Sequence, residues 1–479
     1  MDHPETILRK QSQMTISMEP DIEVFSEPAT DNVSYGRTKR CVLVALAVAL
    51  LAGLIYAATQ NVMVAGAMLL TAVVPLSLFH PPFGLCVMYF LLPVESAITL
   101  SPYFTISKAM GIIVFLSFLL HFARGRSGFP SAMKAMLVFM MWALLSLLWA
   151  ESTLVGAIMA IPLVLNIGLT VILLSFIHDR KDFNLLMGSL FLGACVATAL
   201  IVVGRVSYAA GVKRVILSEE TSPVILADDL CLGLLAGVYL MLQKGFFKKI
   251  IIVGALPLIL LAIFKTQSRT ALGTAIIAPT VAFILSAKGK KRITYTLIAV
   301  GFVTMCAISL KIAFENDMLS SAAMARLRNT SFDIEKSGRT DVWRFSARLL
   351  MERPLNGWGW GNFPVKSPGS IGLAHNNIFN LAAELGIIGI ILAAILYFLL
   401  IKSTFQLRLV PLRWIGITML LYNLIIGMTA TTYMQKDFWY SLAFAMVLCN
   451  IDETSQDESL LEPDNEYYTH QPGITSAGE

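Results

Sequence analysis

The sequence predicts an all-α protein, a polytopic transmembrane helical bundle of about 12–14 spans with one large loop outside the membrane. The first observation is composition: 56% of the 479 residues are hydrophobic and 14% are charged, whereas soluble domains carry about 25% charged residues. The second is a series of apolar stretches, many of them about 20 residues long, the length that crosses a bilayer as a helix. The third is the placement of Lys and Arg in short loops that fall on one side of the membrane.

The predicted spans divide the chain into two bundle segments, one large loop and two tails. The spans lie at roughly 41–58, 62–79, 84–100, 107–122, 133–149, 157–177, 184–208, 223–243, 249–265, 270–287, 292–310, 376–401, 411–430 and 436–450. The predicted divisions are a flexible tail at 1–40, the first part of the bundle at 41–310, the large loop at 311–375, the last part of the bundle at 376–450 and an acidic tail at 451–479. The composition of the acidic tail is typical of disorder.

Positive charge in the short loops predicts the orientation of the chain. The Lys- and Arg-rich loops are RTKR (37–40), ARGR (123–126), HDRK (178–181), KGFFKK (244–249), KGKKR (288–292) and the loop that contains Lys402, Arg408 and Arg413. All of them face one side in the predicted order of spans, and the positive-inside rule assigns that side to the cytoplasm. Both termini are therefore expected inside, and residues 311–375 are expected outside.

The composition gives little support for two other kinds of site. The net charge of +5 is small and unevenly placed, which argues against nucleic-acid binding. All six cysteines fall in apolar spans without the spacing of a metal site, so we interpret them as small core residues. Asp228 and Asp229 are adjacent near the outer end of a span, and we interpret them as interfacial.

A few positive residues lie on the predicted outer side, where the topology rule disfavours them. They are Arg205, Lys213, Arg214, Lys265 and Arg269. One interpretation is snorkelling, in which the stem lies in lipid and the charged head reaches water, and this is favoured for both lysines and for Arg214. Arg269 lies in the tight turn KTQSRTAL between two spans, which leaves little freedom to snorkel. An anionic ligand is therefore favoured at Arg269, with Arg205 as a weaker candidate.

The large loop contains a predicted amphipathic helix at residues 340–352. Apolar residues recur at helical spacing on one face: Val342, Phe345 and Leu349. Charged residues repeat on another face: Arg344, Arg348 and Glu352. The helix is expected to lie on the membrane or to pack on the bundle as a lid. Arg339 precedes it, where an anion would also meet the free N–H groups and the dipole of a helix N-terminus.

The segment GWGWG (357–361) is a glycine-spaced aromatic turn that follows this helix. Trp358 and Trp360 are open to two interpretations. They are either interfacial anchors, as tryptophan commonly is at membrane edges, or platforms that stack against a sugar ring.

His375 stands at the predicted outer mouth of the span at 376–401. Asn376, Asn380 and Glu384 recur every four residues behind it, and they form a polar stripe that lipid would penalise, so it is expected to face the bundle. Asn376 or Asn377 is also suited to cap the helix.

Three of these residues form a candidate reactive group on the outer side. Arg269 and Arg339 provide two guanidinium groups that suit a phosphate-rich ligand. His375 provides an imidazole that can accept a proton near neutral pH.

The chain resembles the superfamily of O-antigen ligases and O-antigen or exopolysaccharide polymerases of bacterial inner membranes. The resemblance is carried by SRTALG (268–273), SGRTDVW (337–343), RPLNGWGWGNF (353–363) and AHNNIFNLAAELGIIG (374–389), in this order around a large outer loop. One departure is SRT in the first motif, where many relatives have SRG. The outer loop then corresponds to a periplasmic loop, and the localisation implied is the bacterial inner membrane.

The resemblance implies glycan transfer from an undecaprenyl-diphosphate-linked oligosaccharide donor to an acceptor hydroxyl on the periplasmic side. By analogy, Arg269 and Arg339 bind the diphosphate, with Arg205 as a further candidate, and His375 is the base. Asn376 or Asn377 would hold the histidine ring or the sugar. The chemistry implied needs no metal and no other cofactor, and it inverts the anomeric centre.

Several alternatives for the function stay open. Polymerisation of exopolysaccharide or O-antigen repeat units is favoured over a ligase that joins the glycan to lipid A core or to a protein. A chain-length regulator or export complex is a possible partner of a polymerase. A transporter or flippase for lipid-linked sugars would place its charges at mid-membrane in broken helices, often with repeat symmetry. A scaffold without catalysis would not require the Arg, Arg and His set.

Overall fold

A computed structural model describes most of the helical bundle and part of the large loop predicted at 311–375. The described residues are 36–45, 47–49, 51, 62–95, 106–121, 129–204, 207–208, 215–217, 222–243, 246–286, 289, 291–315, 339–367 and 373–461. The predicted all-α class is confirmed within these residues, which are helical apart from turns, loops and one short hairpin.

The helices follow the predicted spans closely. They are α1 (Val62–Phe79), α2 (Pro81–Leu91), α3 (Ile106–His121), α4 (Ser131–Leu145) with a 3-10 turn (Ser146–Trp149), α5 (Thr153–Phe176), α6 (Arg180–Val202), α7 (Pro223–Met241), α8 (Phe246–Lys265), α9 (Arg269–Ser286), α10 (Lys291–Glu315), α11 (Arg339–Glu352), α12 (Phe363–Lys366), α13 (Asn377–Gln406), α14 (Val410–Gly427) and α15 (Lys436–Leu461). Residues 36–45 are also helical. An antiparallel hairpin, β1 (Ser207–Tyr208) and β2 (Val215–Ile216), lies between α6 and α7. Strand β1 occupies the end of the span predicted at 184–208, and β2 lies in the predicted loop after it.

The length and apolar composition of these helices indicate a multi-pass membrane protein. Among the described residues, seven helices are long and apolar enough to cross a membrane: Ser131–Trp149, Thr153–Phe176, Arg180–Val202, Pro223–Met241, Arg269–Ser286, Asn377–Gln406 and Val410–Gly427. Shorter apolar helices occupy other predicted spans, including Pro81–Leu91 and Ile106–His121. The larger number of spans predicted from the sequence stays a prediction. The last helix continues to Leu461, so the first part of the acidic tail is helical.

Helices α9 and α14 pack side by side in opposite directions. The indole N–H of Trp414, near the start of α14, donates to the carbonyl of Pro279 in α9 at 3.1 Å. The guanidinium of Arg413 is buried and donates to the carbonyl of Ser286, the last residue of α9, at 3.2 Å. It also donates to the carbonyl of Leu407 just beyond α13. Arg413 thus satisfies carbonyl groups at two helix C-termini, where a positive charge also matches the helix dipole.

Helix α13 is broken at Gly386, although the sequence predicted one continuous span at 376–401. The backbone of Gly386 has φ 67° and ψ −166°, a conformation that is essentially restricted to glycine. The turn after α11 pairs with the break: the N–H of Gly359 donates to the carbonyl of Glu384 at 2.8 Å, and the N–H of Ile387 donates to the carbonyl of Pro354 at 2.8 Å. These bonds satisfy backbone groups that the break releases, as a buried non-helical segment requires.

Glycine is required on both sides of this contact. A Cβ atom on Gly386 would lie 2.3 Å from the carbonyl oxygen of Leu355, and one on Gly357 would lie 2.4 Å from the backbone of Glu384. The aromatic turn is therefore seated inside the bundle against α13. A local sequence pattern cannot reveal this arrangement, because the two backbones meet only in the folded protein.

Helix α11 confirms the amphipathic helix predicted at 340–352. Val342 and Leu349 are buried, while the charged face, which includes Arg344 and Arg348, is exposed. The helix packs against α13. Of the two arrangements expected from the sequence, the structure therefore has the helix packed on the bundle.

Candidate functional site

His375 lies one residue before Asn376, the cap of α13, and is partly exposed. Its backbone has φ 51°, which lies in the left-handed region that non-glycine residues rarely occupy, although histidine is among the more tolerant types. The next residue, Asn376, caps α13 by accepting hydrogen bonds from the N–H groups of Ile378 and Phe379 at 2.9 and 3.3 Å. The imidazole is therefore presented from a fixed turn at the mouth of the helix.

Helix α11 brings Arg339 to His375. The indole N–H of Trp343, one turn after Arg339, donates to the carbonyl of Ala374 at 3.1 Å. The same indole stacks on Phe379, one turn after His375, with ring centroids 5.2 Å apart and planes 14° apart. Trp343 thus holds the start of α11 against the start of α13. Arg339 lies close enough to His375 for its positive charge to affect the protonation of the imidazole.

The electrostatics of this pair favour a neutral imidazole. Partial burial of the ring, followed by the positive charge of Arg339, lowers the pKa of His375 below that of a free histidine. A neutral ring has a free lone pair, so His375 is ready to accept a proton at neutral pH.

Arg269 is the first residue of α9 and is exposed. The turn before it is tight, as predicted, because α8 ends at Lys265 and Gln267 has a left-handed φ of 58°. Ser268 caps α9, because its hydroxyl accepts from the N–H of Ala271 at 3.4 Å. Among the described residues, Gln267 and His375 are the non-glycine residues with positive φ, and such conformations cluster at functional sites.

Arg269 and His375 lie at the same end of α14. The side-chain amide of Asn376 donates to the carbonyl of Met428, the residue that follows α14, at 3.0 Å. Because α9 runs antiparallel to α14, its first residue, Arg269, lies at this same end. Arg205, Lys213 and Arg214 lie outside the described residues.

The two asparagines after His375 are occupied by protein groups. Asn376 caps α13 and bonds to Met428, as described above. Asn377 accepts from the N–H of Thr432 at 2.7 Å and donates to the hydroxyl of Thr432 at 3.0 Å. These bonds favour a role for both amides in fixing the start of α13 against the segment before α15.

The two tryptophans of the aromatic turn also bond to the protein. Trp360 is fully buried, and its indole N–H donates to the carbonyl of Met159 at 3.0 Å. Trp358 donates to the carbonyl of Leu349 at 3.1 Å, and the charged ends of Arg353 and Lys366 lie 4.0 and 3.8 Å from its ring centroid. These contacts favour a structural role that seats the outer loop on the bundle.

The interpretation of Asp228 and Asp229 as interfacial is wrong. Both are buried in α7, with 1% and 4% of their surface exposed, because α7 is enclosed by neighbouring helices. Asp228 and Asp437 of α15 line one small cavity together with Thr432 and Gln435. The sequence carries no spacing that would have joined these carboxylates, since they come from distant helices.

Tyr433 is a buried site residue that the sequence did not single out. Its hydroxyl donates to Glu384 at 2.8 Å and bonds to the side-chain amide of Asn380. The predicted polar stripe of Asn380 and Glu384 does face the interior, where both residues are fully buried. A tyrosine near the end of a span is common at membrane edges, so its position alone gave no signal.

Comparison with known proteins agrees with the motifs of this site. A family model described as O-Antigen ligase matches residues 254–394, a segment that contains Arg269, Arg339 and His375. A search of curated proteins finds no match to the chain. The resemblance predicted from the sequence is confirmed over residues 254–394, the segment that is similar to the O-antigen ligase family.

Proposed function

We propose that the protein transfers a glycan from an undecaprenyl-diphosphate carrier to an acceptor hydroxyl on the outer side of a bacterial inner membrane. Lipid-linked glycan transfer in general is supported by the O-antigen ligase segment. The observation that carries the proposal further is the docking of α11 on the start of α13, through Trp343, with Arg339 beside His375. The orientation is the one predicted from the positive loops, with both termini in the cytoplasm.

In the proposed reaction, Arg269 and Arg339 bind the diphosphate of the donor. The acceptor hydroxyl attacks the anomeric carbon while His375 takes its proton, and the bond between that carbon and the diphosphate oxygen breaks. The leaving diphosphate gains negative charge, which the two guanidinium groups stabilise. Attack opposite the leaving group inverts the anomeric centre. The proton of the acceptor hydroxyl goes to His375, and the electron pair of the broken bond leaves with the diphosphate carrier.

Within this chemistry we favour a polymerase of exopolysaccharide or O-antigen repeat units over a ligase. The two activities differ in the acceptor, so purified protein in lipid vesicles can separate them. A polymerase supplied with lipid-linked repeat units alone forms longer chains on the carrier. A ligase leaves those units unchanged until lipid A core or a protein acceptor is added. A chain-length regulator would be a partner of the polymerase only.

One observation bears on the alternative of a lipid-linked sugar transporter. The break at Gly386 is typical of transporter helices, in which the irregular backbone lines a substrate or ion cavity. Here the break is filled by the turn at 354–359, whose backbone bonds directly to α13. The filled break favours a fixed reaction site, and transport of the glycan stays the second candidate.

The diphosphate clamp is tested by exchanging arginine for lysine. Arg269→Lys and Arg339→Lys are each expected to lower kcat/KM for the donor by at least about tenfold, because a point charge cannot replace a planar bidentate donor. Arg348→Lys is the matched control, since Arg348 is exposed on α11 on the face away from α13. Wild-type kcat/KM in both test variants would remove the clamp from the mechanism.

A further inference from the structure

A chain of buried hydrogen bonds connects Glu384 to the backbone beside His375. The N–H of Ala374 donates to the side-chain oxygen of Asn380 at 3.1 Å. The side-chain N–H of Asn380 donates to the hydroxyl of Tyr433, which in turn donates to Oε2 of Glu384 at 2.8 Å. Asn380 and Glu384 are fully buried and Tyr433 is 1% exposed, so water does not compete for these bonds.

The direction of each hydrogen bond in this series follows from the groups that form it. A backbone N–H can only donate, so the N–H of Ala374 fixes the oxygen of the Asn380 amide towards itself. The amide nitrogen of Asn380 then points to Tyr433, and the hydroxyl proton of Tyr433 points to Glu384. The other oxygen of Glu384 accepts from the N–H of Phe363 at 3.2 Å, so both carboxylate oxygens are used. A buried network in which every member is satisfied is rigid and specifies one arrangement.

Tyr433 is itself held by three neighbouring groups. Its backbone N–H donates to Asn377 at 3.4 Å, and its carbonyl accepts from the indole of Trp439 at 2.7 Å. Its ring lies 5.0 Å from the ring of Trp360, measured between centroids. The hydroxyl therefore has a fixed position relative to three parts of the chain: the outer loop, the start of α13 and the start of α15.

The network bears on the backbone conformation of His375. A left-handed φ in a non-glycine residue persists only where surrounding contacts impose it. Here the preceding residue is held at both polar groups, its N–H by Asn380 and its carbonyl by Trp343, and the following residue is held as the cap of α13. The backbone of His375, from which the imidazole projects, is thus held by groups that do not need to contact the ring.

We propose that Tyr433 and Asn380 are positioning residues of the glycan transfer, which hold the backbone of residues 374–375 in the conformation that presents His375 to the acceptor hydroxyl. This inference rests on the proposed function of His375 as the base. Neither residue contacts the substrate, and each acts through the turn before α13. Holding a catalytic group in a productive geometry contributes to the rate without changing the chemistry.

The test is Tyr433→Phe with Tyr239→Phe as the matched control. Tyr239 is equally buried, and its hydroxyl donates to Asn184 at 2.8 Å in the contact between α6 and α7. Both substitutions remove one buried hydroxyl, but only the first leaves the Asn380 amide free to rotate away from Ala374. The first readout needs no substrate: the rate at which diethyl pyrocarbonate modifies His375 in the purified full-length protein, followed by mass spectrometry across pH.

We expect Tyr433→Phe to change the modification rate of His375 several-fold and to lower kcat about tenfold. Without the hydroxyl, the buried side chains of Asn380 and Glu384 each lose a hydrogen-bond partner, and the turn that carries His375 is held less firmly. KM for the donor should stay within about twofold, since the diphosphate ligands are untouched. Tyr239→Phe should leave the modification of His375 and kcat at the wild-type values. His178, on the turn between α5 and α6, serves as the internal reference for modification.

Asn380→Leu is the second variant, in case Tyr433→Phe lowers the yield of folded protein. Leucine has a similar shape but neither accepts from the N–H of Ala374 nor donates to Tyr433, so the same direction of change is expected. Wild-type reactivity of His375 together with wild-type kcat in a folded test variant overturns the positioning role. Altered reactivity of His375 with wild-type kcat instead overturns the proposed function, because the base could then be disturbed without effect on transfer.

Discussion

The left-handed backbone of His375 distinguishes the proposed base from the residues of an ordinary helix start. The sequence predicted His375 as a candidate because a polar cluster opens an apolar span, and it predicted Arg269 from a positive charge on the disfavoured side. It could not predict the conformation of His375. That depends on Trp343, Asn380 and Met428, which meet the turn from three separate parts of the chain.

The charge of Arg339 predicts a shift in the titration of His375. A positive neighbour disfavours the protonated ring, so removing it with Arg339→Gln should raise the pKa of His375. The midpoint of its modification by diethyl pyrocarbonate, measured without substrate, should therefore move to higher pH. Arg344→Gln is the control, because Arg344 is exposed on the same helix and paired with Asp341. An unchanged or lower midpoint in Arg339→Gln would contradict the proximity of the two groups.

At the scale of elements, local patterns predicted α11 well and α13 incompletely. Apolar and charged residues recur on two faces of α11 at helical spacing. The prediction holds because the apolar face packs on α13 in the folded protein. The break at Gly386 has no such local signal, since glycine is common in transmembrane helices. It is imposed by the backbone of the aromatic turn, which lies about 30 positions earlier in the chain and meets α13 only after folding.

Gly386→Ala should destabilise the protein. The conformation of Gly386 is strained for any residue with a side chain, and its Cβ would lie 2.3 Å from the carbonyl oxygen of Leu355. We expect a cost of at least about 2 kcal/mol, seen as a lower Tm of the purified protein. Gly168→Ala is the control, because a Cβ there meets open space in α5. Equal Tm values for the two variants would mean that the break is not required.

At the scale of the whole molecule, composition and the length of apolar stretches predicted a helical membrane protein, and these features alone were sufficient. They did not predict which polar groups lie inside. Asp228 and Asp229 are enclosed because α7 is surrounded by other helices, and Arg413 is enclosed because two helix C-termini converge on it. The enclosure of a residue depends on its neighbours in space, and one sequence does not reveal them.

The topology can be tested with reporter fusions. The positive-inside rule predicts that a reporter near Asn329, which lies beyond the described residues of the outer loop, is active only outside the cytoplasm. A fusion after Arg408, between α13 and α14, is the control and should be active only inside. Cytoplasmic activity near Asn329 would place the candidate site on the wrong side of the membrane for an outer-face transfer.

The most direct test of the central claim is the transfer rate of His375→Ala protein. The purified variant, in vesicles with lipid-linked repeat units, should lose about 10²–10⁴-fold in rate, because a general base contributes that much. Its abundance in the membrane should equal that of the wild type, and His178→Ala, which removes a histidine from the turn between α5 and α6, should transfer normally. A wild-type rate in His375→Ala would contradict the account, because no other residue is proposed to take the proton.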